Sequence, residues 1–139
     1  MVIAVDFDGT IVEDAYPEIG EPKIFAFETL IEMQKSNHQV ILWTTREGDK
    51  LEEAVDFCRK NGVQFYAVNK SYPEEKYDES ISRKLNCDVF VSNKNVGGHY
   101  GWGELWQEIK SISGEDRLYK NESQFNASLF NKISNFFKR

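Results

Sequence analysis

Two carboxylates one residue apart, Asp6 and Asp8, close an apolar run in the stretch VIAVDFDGTIV, residues 2–12. Carboxylates this close repel one another unless a cation or a proton offsets the charge. Mg²⁺, which takes oxygen ligands and keeps several waters, is a natural offset. The pair can also divide labour. Asp6 can attack phosphorus or hold the cation, and Asp8 can pass protons as acid and base if the turn brings it over the same space. Gly9 then lets the backbone leave the strand sharply. The plainer alternative is an acidic turn that caps a strand.

The elements that must position this pair are legible as periodicity. Residues 2–5 are continuously apolar, as in a strand buried on both faces. Residues 23–36 place Ile24, Phe27, Leu30, Ile31 and Gln34 at helical spacing after Pro22. A second apolar run, 39–43, ends at Thr44-Thr45. The spacing then predicts a helix over 49–60, with Leu51, Val55 and Cys58 on one face and Asn61-Gly62 as its stop. A third strand is expected over 64–68, a short helix near 81–85, a fourth strand over 88–91, and a helix over 103–112 through Leu105, Trp106, Ile109 and Ile112. Strands alternating with helices predict right-handed crossovers and an α/β fold, a Rossmann-like three-layer sandwich with helices on both faces of a parallel sheet. Ligands of such sheets bind outside the carboxyl ends of the strands. That edge collects Asp6 and Asp8, Thr44 to Arg46, Asn69-Lys70 and Ser92 to Asn95.

On these residues the sequence resembles a known family. DFDGTIV resembles the first motif of the haloacid dehalogenase (HAD) superfamily of aspartate-nucleophile phosphohydrolases, and VILWTTR resembles the second, whose Thr is Thr44. Lys84, eight residues before Ser92, sits where the third motif has its Lys; Lys70 is the rival for that role. The match covers roughly residues 1–112. It implies that Asp6 forms an aspartyl-phosphate, while Asp8 protonates the leaving group and then activates water. Thr44 and nearby backbone N–H groups would hold the phosphoryl oxygens, with Gly9, Thr10 and Thr45 beside the substrate. Arg46 would clamp a substrate carboxylate or second phosphate, or else pair with Glu47 or Asp49. Mg²⁺ would rest on the Asp6 side chain and the Asp8 carbonyl.

One motif departs from the family pattern. The fourth normally supplies one or two Asp residues to the Mg²⁺ site, and here Ser92-Asn93 stand in their place, followed by KNVGG. Asp88 lies roughly 13 Å back along the strand. Asn93 offers a neutral amide oxygen, so the cation should bind more weakly; Glu13, Glu47 and Asp49 are the acids near that edge that would compensate. No insertion is long enough for a cap domain. The resemblance therefore implies a capless enzyme open to a phosphorylated small molecule or a bulky phosphoester. A catalytically silent relative that binds a phosphorylated ligand or protein is the alternative. A phospho-accepting receiver domain fits less well, because its Asp would end the third strand, where Asn69 stands.

Composition bounds the remainder. The 139 residues predict an α/β domain over 1–114 and a basic amphipathic helical extension over 115–139. The formal net charge is −6, yet residues 117–139 carry five basic side chains against Glu122 alone, so the body is the more acidic part. An acidic body argues against broad nucleic-acid binding. Cys58 and Cys87 read as reduced thiols of a cytoplasmic protein, and the Asn121 and Asn126 sequons carry no meaning without a secretory signal. No apolar run approaches the length of a spanning helix. Phe125, Leu129, Ile133 and Phe136/Phe137 lie at helical spacing in the extension. They predict docking on the body or on a second copy in a homo-oligomer, with a membrane surface as the other possibility.

Overall fold

The computed structural model describes residues 1–115. The elements run β1 (Val2–Val5), α1 (Ala26–Lys35), β2 (Gln39–Leu42), α2 (Gly48–Lys60), β3 (Ala67–Val68), β4 (Val89–Val91) and α3 (Trp102–Ser113). The four strands form one parallel sheet in the order β3-β2-β1-β4, which makes the fold α/β. A first compact unit spans Met1–Leu105, and a second begins at Trp106. The predicted extension beyond residue 115, with its docking and oligomer roles, lies outside the described residues.

Strand alternation sorts the sheet into two faces. Ile3, Val5, Val40, Leu42 and Val91 share one face and are essentially inaccessible. The steps β1–α1–β2 and β2–α2–β3 run in the same direction across the sheet, so right-handed crossovers set α1 and α2 on one side. The Phe27 and Phe57 rings join the two helices edge to face at 5.8 Å. The other face carries Ala4, Ile41 and Ala67, packed with Leu85, Cys87, Val2 and Phe90.

Two expectations about helices need correction. The segment between β3 and β4 returns across the second face without the helix predicted at 81–85. Asp78 accepts from the backbone and hydroxyl of Ser80, and Ser82 Oγ accepts the Lys84 N–H at 3.1 Å. Such local bonds offer the backbone an alternative to helix. Leu85 is still buried, so an irregular segment covers this face where a helix was expected. Second, α1 begins at Ala26 because Phe25 is left-handed, with φ 64°. Ile24, predicted on the buried stripe, is consequently 79% exposed.

The thiols are free. Cys58 faces the core from α2, and burial pushes its pKa up to about 12. A thiol attacks as its thiolate, so at pH 8 native Cys58 should resist Ellman's reagent while half-buried Cys87 reacts first. Adding urea should release Cys58 in step with loss of the far-ultraviolet circular dichroism signal. Rapid labelling of Cys58 in the native protein would contradict its placement.

Candidate functional site

The sheet brings the chemistry-bearing residues to its carboxyl edge. Past the strand ends the ladder continues: Asp6 N–H donates to Val91 O at 2.9 Å, and Trp43 N–H donates to Val5 O at 2.9 Å. By alternation Asp6, Trp43 and Ser92 continue the face of Ala4, Ile41 and Phe90. A cavity of about 710 Å³ opens there, lined by Asp6, Thr44, Thr45 and Ser92, by the aromatic pair Trp43 and Phe90, and by the cations Arg83, Lys84 and Lys94. This volume is ordinary for a small-molecule site.

Asp6 is held at the cavity wall by two bonds. Its Oδ1 accepts the Phe7 N–H at 2.8 Å, and its Oδ2 accepts the Ser92 hydroxyl at 3.0 Å. Ser92 thus occupies the place of an expected acid and supplies a donor. Ser92 Oγ also accepts the Lys94 N–H at 3.1 Å, which fixes the turn that carries Lys94. Thr44 is braced from both sides. Its N–H donates to Asn69 Oδ1 at 2.8 Å, and its Oγ1 accepts the Arg46 N–H at 3.2 Å, which leaves the hydroxyl proton for a ligand.

Asp8 turns another way. Arg46 Nε donates to its Oδ2 at 2.8 Å and Arg46 Nη2 to its Oδ1 at 2.7 Å, a bidentate pair. Arg46 further donates to the carbonyls of Pro17 at 3.2 Å and Glu18 at 2.7 Å, and its guanidinium lies over the rings of Phe7 and Tyr16. Only 1% of this residue is exposed. The hydrogen bonds to Asp8 raise the Arg46 pKa above its ordinary value, against the opposing effect of burial. Arg46 is therefore neither a substrate clamp nor the partner of Glu47 or Asp49. A smaller cavity of about 360 Å³ lies beside Asp8, Asp14 and Tyr16, and it shares Thr45 and Lys94 with the larger one.

Gly9 and Thr10 are also placed differently from expectation. Thr10 is fully buried, and its Oγ1 accepts the Asn93 N–H at 3.0 Å and donates to Asn93 Oδ1 at 3.3 Å. The Thr10 carbonyl accepts the Trp102 indole N–H at 3.0 Å. Gly9 has φ +76°, and a Cβ there would meet Asn93 Nδ2 at 2.4 Å. Both residues clamp the Asn93 loop to β1; neither lines the larger cavity. Of the two candidate lysines, Lys84 shares the cavity with Asp6, and Lys70, at the end of β3, does not line it. Arg83 and Trp43 were not among the expected site residues, and Lys94 fell within the expected Ser92 to Asn95 edge without a role of its own. The only signals were the adjacency of Arg83 to Lys84 and the position of Lys94 two residues after the strand-ending Ser92.

The donor set can be compared with what Mg²⁺ requires. Among the described residues no three His, Cys, Asp or Glu side chains gather as a cluster, and Glu13 is paired with Lys23 at 2.9 Å. Mg²⁺, however, is usually held by one or two carboxylates plus waters and substrate phosphate. Among the described residues each Asp6 oxygen accepts one bond and keeps a lone pair, and Asn93 Oδ1 accepts from Thr10. The Asp6 oxygens are of the kind Mg²⁺ accepts, and one carboxylate supplies too little charge for a tight resident site.

No family model matches the chain, and no curated protein matches it. Among solved structures, a conserved protein from Bacteroides thetaiotaomicron matches with 53% sequence identity and a TM-score of 0.76. The match covers 81% of this chain and 91% of that one. Among the described residues no helix is long and apolar enough to cross a membrane.

Proposed function

The chain belongs to the family of that Bacteroides thetaiotaomicron protein, and we propose that it is a HAD-like, capless phosphomonoesterase that works through Asp6. One observation carries this reading. Among the described residues one carboxylate, Asp6, lines a cavity together with three hydroxyls and three cations at the carboxyl edge of a parallel sheet. Cations and hydroxyls suit a phosphoryl group, and a carboxylate among them, unlike the hydroxyls, can attack phosphorus without a base to activate it. The 3-2-1-4 strand order supports the Rossmann-like, HAD-like form of the fold.

In the first half-reaction an Asp6 oxygen attacks phosphorus, the bond to the ester oxygen breaks with its electron pair, and the departing oxygen takes a proton from solvent. Lys84, Lys94 and the Thr44 hydroxyl face the phosphoryl oxygens as charge redistributes. In the second half-reaction water attacks the phosphorus of the aspartyl-phosphate and gives its proton to Asp8. The acyl-phosphate bond breaks, the Asp6 carboxylate is restored, inorganic phosphate leaves and Asp8 releases its proton to solvent. Both Asp8 oxygens already accept from Arg46. Each oxygen keeps a lone pair on which a proton can rest, so Asp8 can take the proton of water without giving up an Arg46 contact. Asp8 is therefore assigned mainly as the base that activates water. Mg²⁺ would be held by the Asp6 carboxylate, the Asp8 carbonyl and the Asn93 amide oxygen, where it would neutralise phosphoryl charge.

The neutral Ser92-Asn93 pair favours a second reading, a relative that binds phosphorylated ligands without turning them over. A Mg²⁺ titration of p-nitrophenyl phosphate hydrolysis separates the two. The wild type should hydrolyse the ester only at high Mg²⁺. Ser92→Asp/Asn93→Asp should lower the Mg²⁺ requirement by about tenfold or more, since one added charge near the cation is worth several kcal/mol gross at intermediate dielectric. Mg²⁺ should also raise the melting temperature of the double variant more than that of the wild type. A silent wild type revived by the double variant supports the binding reading. If the double variant changes neither readout, Ser92 and Asn93 do not face the metal.

A further inference from the structure

We propose that the ligand of this cavity is a phosphomonoester whose body is a flat aromatic ring, an aryl or heteroaryl phosphate. The inference rests on the phosphoryl reading of the Asp6 site and names the class of ester it takes. Trp43 and Phe90 meet across β1 with ring centroids 4.8 Å apart and planes at 52°. They can meet because the residue between them on that face of β1 is Ala4, register partner of Phe90. Both rings line the cavity, and Trp43 is 38% exposed, so part of a large aromatic surface is left to the cavity. Aromatic surface at the edge of an open cleft favours a partner that stacks on it.

The charged groups set the polarity of that ligand. Asp6, Ser92 and Thr44 lie at the strand ends, and Arg83 and Lys84 enter from the irregular return segment. Arg83 is steadied by Tyr77, whose hydroxyl accepts from its Nε at 3.0 Å while the ring lies under the guanidinium. The occupant therefore needs an anionic head for the cations and a flat apolar body for Trp43. A leaving oxygen attached to an aromatic ring departs as a stabilised aryloxide and takes its proton from solvent, so it asks little of Asp8 as an acid.

The test is calorimetric titration of the full chain carrying Asp6→Asn, with phenyl phosphate, cyclohexyl phosphate and inorganic phosphate as probes. Phenyl phosphate should bind about tenfold more tightly than cyclohexyl phosphate, which has the same carbon count without the flat ring. In Asp6→Asn/Trp43→Leu that ratio should collapse to near one, and in Asp6→Asn/Trp43→Phe most of it should return. Equal affinity for the two esters, or a ratio that survives Trp43→Leu, overturns the aromatic assignment while leaving the phosphoryl site standing. If none of the three probes binds, the phosphoryl reading fails and the aromatic assignment falls with it. Phenol release by the Asp6→Asn protein would contradict the nucleophile alone.

Discussion

Asp6→Asn is expected to lower turnover of an aryl phosphate by on the order of 10⁴-fold or more while tightening the binding of inorganic phosphate. The two effects have one cause. An amide has no lone pair of carboxylate strength to offer phosphorus, so the covalent route closes. Removing the carboxylate also removes a negative charge from a wall that otherwise presents Arg83, Lys84 and Lys94 to an anion. The fold should survive. An Asn amide oxygen can keep the Ser92 hydroxyl bond or the Phe7 N–H bond of Asp6, and losing the other costs about 1 kcal/mol. Unchanged turnover would move the nucleophile elsewhere, and lost phosphate binding would mean that the cations do not face the ligand.

The second large effect is on stability. Arg46→Met should destabilise the protein by about 3 kcal/mol, because it leaves Asp8 without its bidentate partner and the Pro17 and Glu18 carbonyls without donors. The lower end of the range for broken buried pairs applies, since the Asp8 side chain is 15% exposed and water can reach part of it. The urea midpoint should fall by roughly 1–2 M. Arg46→Lys should recover little, because an ammonium cannot reproduce the planar fork between two carboxylate oxygens and two carbonyls. A midpoint unchanged by Arg46→Met would refute the view that this residue is structural.

How far the sequence disclosed this arrangement depended on the range of the interaction. The strands at 2–5 and 39–42 were readable because continuous apolar runs report burial directly. Their parallel pairing collected Asp6, Thr44, Asn69 and Ser92 on one edge as expected. The start of α1 was misread because a left-handed Phe25 is an event of local backbone geometry that hydrophobic spacing does not encode. The 81–85 helix was misread because Asp78, Ser80 and Ser82 bond to nearby backbone, and their side chains outweighed a short apolar pattern. Arg46 was beyond reach for a different reason. Its partner Asp8 lies 38 positions away in the chain, and only the assembled sheet brings the two together. Arg83 and Lys94 carried no periodic signal, and their gathering around Asp6 is a property of the cavity.

The proposed mechanism requires that Asp6 becomes phosphorylated. Full-length protein should be mixed with an aryl phosphate and Mg²⁺, quenched in acid within the first turnover, reduced with borohydride and mapped by peptide mass. Borohydride reduces an acyl phosphate to the alcohol, so the expected result is conversion of Asp6 to homoserine, dependent on substrate and absent from Asp6→Asn. Hydrolysis of the ester with Asp6 recovered unmodified, or with the reduced residue at Asp8 or elsewhere, would contradict it.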